Sequence, residues 1–129
     1  SKKKKIYKIK INKKNKIIKK TIFKKFIRTE GSPDGMTLDA NQNLWVAHYG
    51  GGCISVFNAK GKKIHQVKFS AKNITNCIFG GKRNNEVFVT SAIKGMKLKD
   101  FKKFKDAGSL FSFETNIKGV GNRPFNVSL

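Results

Sequence analysis

Two stretches of this 129-residue chain, 34–39 and 76–81, lie 42 residues apart and open the same series of short segments. In the first series, 35–40 reads as a strand, 41–43 as a turn and 44–49 as a second strand. Gly50, Gly51 and Gly52 lead into a third strand at 53–58, and 60–62 turns the chain into a fourth at 63–69. The strands show as apolar–polar alternation, and the turns as Gly and Asn clusters between them. The second series starts at 76–81, continues at 86–92 and resumes at 109–115 after a long insert, 95–108, that carries five lysines. A tail, 119–129, ends the chain. Four short antiparallel strands repeated every 40–45 residues or so are the pattern of a β-propeller blade. The expected fold class is all-β, a propeller of four-stranded antiparallel sheets.

A further half-unit precedes the repeat. Tyr7, Ile9 and Ile11 alternate with Lys8, Lys10 and Asn12, a turn follows at 13–16, and 17–26 forms the returning strand. The expected organisation is thus half a blade at 6–30, a complete blade at 31–70 and a last blade at 71–129. About two and a half blades cannot close a ring. Open strand edges and uncovered apolar faces are expected, to be met by further blades or by self-association.

Charge narrows the partners. The formal net charge is +22, and 26 of the 29 basic residues are lysine, with arginine only at 28, 83 and 123. Nucleic-acid readers lean on arginine, whose planar fork clamps phosphate and guanine. No aromatic stripe interleaves with the lysines to stack bases, so nucleic acid is not the expected partner. The lysines accompany 13 Ile, 12 Asn and 11 Phe against six Ala, the signature of AT-rich codons. They read first as solvated strand faces that discourage edge-to-edge pairing, and second as a surface for a polyanion or acidic partner. No run approaches 18 apolar residues, so no membrane span is expected. No signal-type apolar stretch follows the N-terminal lysines, and Cys53 and Cys77 are too few for a disulfide framework; a cytoplasmic location is expected. The first residue is Ser1 rather than Met, which is read as a trimmed or missing start.

The motifs then add a resemblance. Ser32-Pro33-Asp34-Gly35-Met36, Leu38-Asp39-Ala40 and Leu44-Trp45-Val46-Ala47-His48-Tyr49-Gly50-Gly51-Gly52 resemble the senescence marker protein/gluconolactonase/luciferin-regenerating enzyme family. Thr75-Asn76-Cys77-Ile78-Phe79-Gly80-Gly81, Val87-Phe88-Val89-Thr90-Ser91-Ala92, Ala107-Gly108-Ser109-Leu110-Phe111 and Gly119-Val120-Gly121 continue the likeness in order. The ordered series covers about residues 5–124. It implies a six-bladed propeller with one divalent cation in its channel, and it places this chain in the C-terminal half. It also implies a metal-dependent sugar lactonase that opens an aldonolactone to an aldonic acid. The family's cation is held by a Glu near the N-terminus, an Asn in the middle and the Asp of Pro-Asp-Gly-Met. Only the last has a counterpart, Asp34, which the resemblance makes both metal ligand and proton-transfer group. The other ligands, and most substrate contacts, are expected from the missing N-terminal half, so the chain alone is expected to be nearly inactive.

The residues themselves fit that assignment in part. Pro33 fixes the approach to Asp34, and Gly35 permits a tight turn. Ca²⁺, Mg²⁺ and Mn²⁺ want oxygen donors, several of them, and Zn²⁺ accepts a mixed set; one carboxylate holds none of them well. Without the resemblance, Asp34 reads as an Asx-turn or strand-start cap. His48 and His65 read as surface or satisfied strand histidines, Cys77 as a small buried apolar group, and Asp39 and Asp100 as turn residues. Trp45 is expected between blades. Gly50–Gly52 lacks the helix and Lys-Ser/Thr of a phosphate loop. The insert reads as a short amphipathic helix with Met96, Phe101 and Phe104 inward.

Overall fold

The structure is a computed structural model that describes residues 4–121; residues 1–3 and 122–129, with Arg123 and most of the expected tail, lie outside it. The chain forms three antiparallel sheets in sequence order. The first pairs β1 (Lys5–Ile11) with β2 (Ile17–Lys25). A single 3-10 turn, Arg28–Glu30, leads to the second sheet: β3 (Ser32–Leu38), β4 (Leu44–Tyr49), β5 (Cys53–Phe57) and β6 (Lys63–Lys68), each beside the next. The third holds β7 (Asn73–Gly80), β8 (Glu86–Ala92) and β9 (Leu110–Glu114), with α1 (Leu98–Lys103) between the last two. These are meandering blades of a partial β-propeller. The inner strands begin earlier than alternation alone indicates, at Ser32 and Asn73, because their first residues already pair with Tyr49 and Ala92.

The middle sheet has apolar residues on both faces, which is why β4 and β5 are buried nearly end to end. One face packs on the third sheet through Trp45, Ala47, Ile54 and Val56 against Ile74, Cys77, Phe79, Val87 and Val89. The other receives the first sheet through Ile6 and Phe26 against Val46 and Phe57. A fully buried side chain of this size contributes roughly 1.5–3 kcal/mol by leaving water, so the middle sheet anchors its neighbours. Lys8, Lys10, Lys19, Lys20 and Lys25 of the first sheet are exposed, with Lys10 opposite Lys19 and Lys5 opposite Lys25, whereas Lys24 is half-buried with its ammonium over the Phe57 ring.

Three hairpins are closed by one device. Asn12 Oδ1 accepts hydrogen bonds from the backbone N–H of Lys14 and Lys16. Asp39 Oδ1 accepts from Asn41 and Asn43, and Asn58 Oδ1 from Lys60 and Lys62. In each loop the residue three positions after the Asx group has positive φ: Asn15 at 57°, Gln42 at 62° and Gly61 at 76°. The short Asx side chain satisfies the turn's donors while the left-handed residue reverses the chain. Asp39 is therefore a turn residue, as its sequence suggests, yet it is also completely buried. Its Oδ2 accepts from Asn43 Nδ2 at 3.0 Å and from the Trp45 indole N–H at 2.9 Å. Trp45 in turn packs edge-on against Phe79 and stacks on Phe113.

The insert departs from expectation. Only Met96 and Phe104 are half-buried; Phe101 is 42% exposed and Leu98 89% exposed. The helix has six residues and is tied down by Asp100, which accepts from Lys97 N–H and from Lys72 Nζ at 2.7 Å. With Asp100 turned to the sheet, Phe101, a further 100° or so around the helix, turns away.

Replacing Asp39 by Ala strands the buried Trp45 indole N–H and takes the acceptor from two part-buried turn donors. We expect a loss of about 3 kcal/mol, read as a lower urea midpoint with an unchanged slope.

Candidate functional site

The inner strands β3 and β7 both break register near their starts. In β3 the irregularity falls between Pro33 and Met36, which spans Asp34 and Gly35. In β7 it falls between Ile74 and Asn76. A bulge adds a residue to one strand and re-aims its side chains. Asp34 is exposed as a result, while its neighbour Pro33 is buried. Among the described residues its carboxylate has no hydrogen-bond or ion-pair partner, and the Asx-turn role that its sequence context also permits is filled by Asp39 in the next turn.

Gly35 has a specific reason to be glycine. A methyl group there would sit 2.7 Å from the Cα of Asn76 and collide with its side-chain amide. The two bulged strands thus touch at Gly35 and Asn76, which brings Asn76 beside Asp34. Asn76 is exposed, and its Oδ1 accepts the N–H of Cys77 at 2.9 Å. Met36 and Ile78, two positions further along their strands, expose 43% and 46% of their surface. The result is an open wall with a polar edge at Asp34 and Asn76. The sequence reading passed over Asn76 as a site residue, although its position 42 residues after Asp34 marks it as the same place in the next blade.

Among the described residues, no three His, Cys, Asp or Glu side chains gather as a metal-binding group. Asp34 is a hard oxygen donor on an open wall, which suits one arm of a site for a hard cation and cannot complete it. Asp34 and Asn76 line none of four surface cavities of about 320–500 Å³; Met36 lines one of them, beside Ile6, Tyr7 and Phe23 of the first sheet.

The other candidates fall into place structurally. Cys77 is buried and its thiol is pushed up to about 12 by desolvation, so it stays protonated. Cys53 is buried too, and both cysteines are free. His65 is exposed on β6. Asp100 is held below the ordinary carboxylate range chiefly by its hydrogen bond from Lys72. His48 differs from its expected role as a surface or satisfied group. It is 1% exposed and packs edge-on against Phe26. Its Nδ1–H donates to the Glu30 carbonyl at 2.7 Å, so Nε2 carries the lone pair, and that buried nitrogen has no partner among the described residues. Burial lowers the pKa of His48 from 6.5.

Blades that stack face to face around bulged inner strands define this chain as part of a β-propeller. Residues 1–93 match the family described as the SMP-30/Gluconolactonase/LRE-like region. The chain belongs to this family. It is 36% identical to regucalcin of Danio rerio over 104 residues, 79% of this chain and 35% of that protein. It is 35% identical to a Bacillus subtilis protein named "Putative sugar lactone lactonase YvrE" over 102 residues, 78% of this chain and 35% of the other. Among solved structures, it overlays regucalcin of Agrobacterium tumefaciens, described as a calcium-binding protein, with a TM-score of 0.86 at 20% identity. That overlay covers 98% of this chain and 43% of the other. The chain therefore spans about a third of the length of the curated relatives it matches. No helix among the described residues is long and apolar enough to cross a membrane.

A folded-state pKa below the unfolded one means that the unfolded chain takes up a proton first as pH falls. His48 thus contributes its full stability above about pH 6.5, and that contribution declines as pH falls through this value. Urea midpoints at about pH 7.5 and about pH 5.5 are expected to differ more for the native chain than for His48→Gln, which keeps polarity without a titrating ring.

Proposed function

We propose that this chain is the C-terminal part of a metal-dependent sugar lactonase that hydrolyses an aldonolactone to an aldonic acid. The observation that carries the reading is the exposed carboxylate of Asp34, held at a bulge of an inner strand in a chain of the gluconolactonase-like family. Asp34 is the ligand this chain offers to a divalent cation, Ca²⁺, Mg²⁺, Mn²⁺ or Zn²⁺; the remaining ligands come from an N-terminal half. A bound cation polarises the lactone carbonyl and lowers the pKa of a water. Asp34 would then serve as the base for such a water. A free carboxylate, with its pKa of about 3.9, is too weak a base to do so alone near neutral pH. The substrate is a sugar lactone, whose polar rim suits Asp34. Two free thiols suit a cytosolic setting.

The 129-residue chain is expected to hydrolyse glucono-δ-lactone no faster than buffer by more than about tenfold, with or without added cation, since a lone carboxylate leaves the cation mostly solvated. Co-expression with the N-terminal half of a relative is expected to raise the rate, and Asp34→Asn to abolish that gain. Fast cation-dependent hydrolysis by the chain alone, measured by proton release at constant pH, would show that it assembles a site by itself.

The lysine pairs across β1 and β2 favour a second reading, in which this sheet binds a polyanion or an acidic partner. Facing like charges repel, and a bound polyanion relieves the repulsion. The expected affinity for heparin falls steeply between low and physiological salt; retention at physiological salt would raise this reading above the first.

A further inference from the structure

We infer that Asn76 is a positioning residue that holds the organic ligand, not the cation, at the Asp34 wall; this rests on the lactonase reading above. Four observations converge on it. Asn76 occupies the position in the third sheet that Asp34 occupies in the second, 42 residues later. Both lie at register breaks in inner strands. The Asn76 amide is wedged against Gly35, where any side chain would displace it. Finally, the Cys77 N–H is spent on Oδ1, at 2.9 Å, which orients the carboxamide. Oδ1 is therefore the committed end. Nδ2 donates to no group among the described residues, and it carries two N–H groups on an exposed wall next to a carboxylate.

The chemistry of the pair is complementary. Asp34 attracts a cation and repels a carboxylate; the Asn76 amide offers donors and no charge. An aldonolactone presents a carbonyl oxygen, and its hydrolysis product presents a carboxylate. Both are acceptors. With Asn76 packed on Gly35, the residue after Asp34, a ligand oxygen drawn to a cation at Asp34 would come up beside the Asn76 amide, and the locked amide loses little rotamer freedom on binding. Because the donor is fixed by Cys77 and Gly35, it selects for an oxygen at one height on the wall.

The test uses the ¹⁵N-labelled 129-residue chain in complex with the unlabelled N-terminal half of a relative, with Ca²⁺ and D-gluconate as probes. Ca²⁺ is expected to shift the backbone amides of Asp34 and Gly35, and gluconate added afterwards to shift the Asn76 side-chain NH₂ pair. Asn76→Asp keeps the size and the acceptor for Cys77 N–H but removes the donor and adds a negative charge. It is expected to tighten Ca²⁺ binding while weakening gluconate binding by about tenfold, the worth of a hydrogen bond to a charged group. Movement of the two affinities in opposite directions supports the inference. Tighter gluconate binding alongside tighter Ca²⁺ would overturn it, because the cation alone would then hold the ligand. Shifts at Asp34 with a silent Asn76 NH₂ pair in the native chain would also overturn it, and would leave the lactonase reading intact. No response at Asp34 to either probe would remove both.

Discussion

The buried carboxylate of Asp39 is the interaction on which the arrangement of blades depends. It ends the inner strand of the middle sheet, closes the turn into β4 and accepts the indole N–H of Trp45. Trp45 is the largest side chain between the middle and third sheets, set against Phe79 and Phe113. A flat aromatic ring can lie against a sheet at many angles; a hydrogen bond at its far end leaves one. Asp39 also pairs through its backbone with Gly119, so the segment after β9 is drawn across the end of β3. One side chain thus sets a turn, an interface and the path of the last described residues. A buried carboxylate is tolerable because four donors surround it.

That geometry fixes the relation between β3 and β7, and with it the wall that carries Asp34. The two strands approach closely enough at Gly35 and Asn76 that there is room for only one side chain. The bulge then lets Asp34 face outward although Pro33 beside it is buried. Position and chemistry are separated: Trp45, Phe79 and Asp39 hold the strands, and Asp34 and Asn76 are left free of structural duty on their exposed ends.

Most of the strand pattern was legible because alternation and turn residues are local signals. The 42-residue offset between the two inner strands was legible for the same reason. The register breaks were not. A bulge depends on which residue of one strand faces which of the next, and no single strand encodes that pairing. Asp39 shows the limit well. Its turn role follows from the residues beside it, whereas its bond to Trp45 crosses the hairpin and its burial needs the third sheet. A recurring Asx residue just before each loop, at 12, 39 and 58, was available as a signal. His48 was misjudged because alternation places it in a strand without saying whether its second nitrogen meets water. The inward aromatic face expected of the insert failed for a related reason: a six-residue helix is oriented by its strongest tether, here Asp100 to Lys72, rather than by its apolar side chains.

The Asx-closed hairpins have a consequence for how the chain assembles. Each closure spans only four residues, so it can form as soon as its own loop exists, before any sheet meets another. Contacts of such short range form quickly, while the interfaces built on Trp45 and Phe57 must wait for distant segments. Early in folding, or on emergence from a ribosome, the molecule is then a string of separate hairpins. Lysine occupies the loops at 13, 14, 16, 60 and 62. Like charge at these two tips keeps the hairpins that carry them, and those of neighbouring nascent chains, at a distance while their apolar faces are still bare.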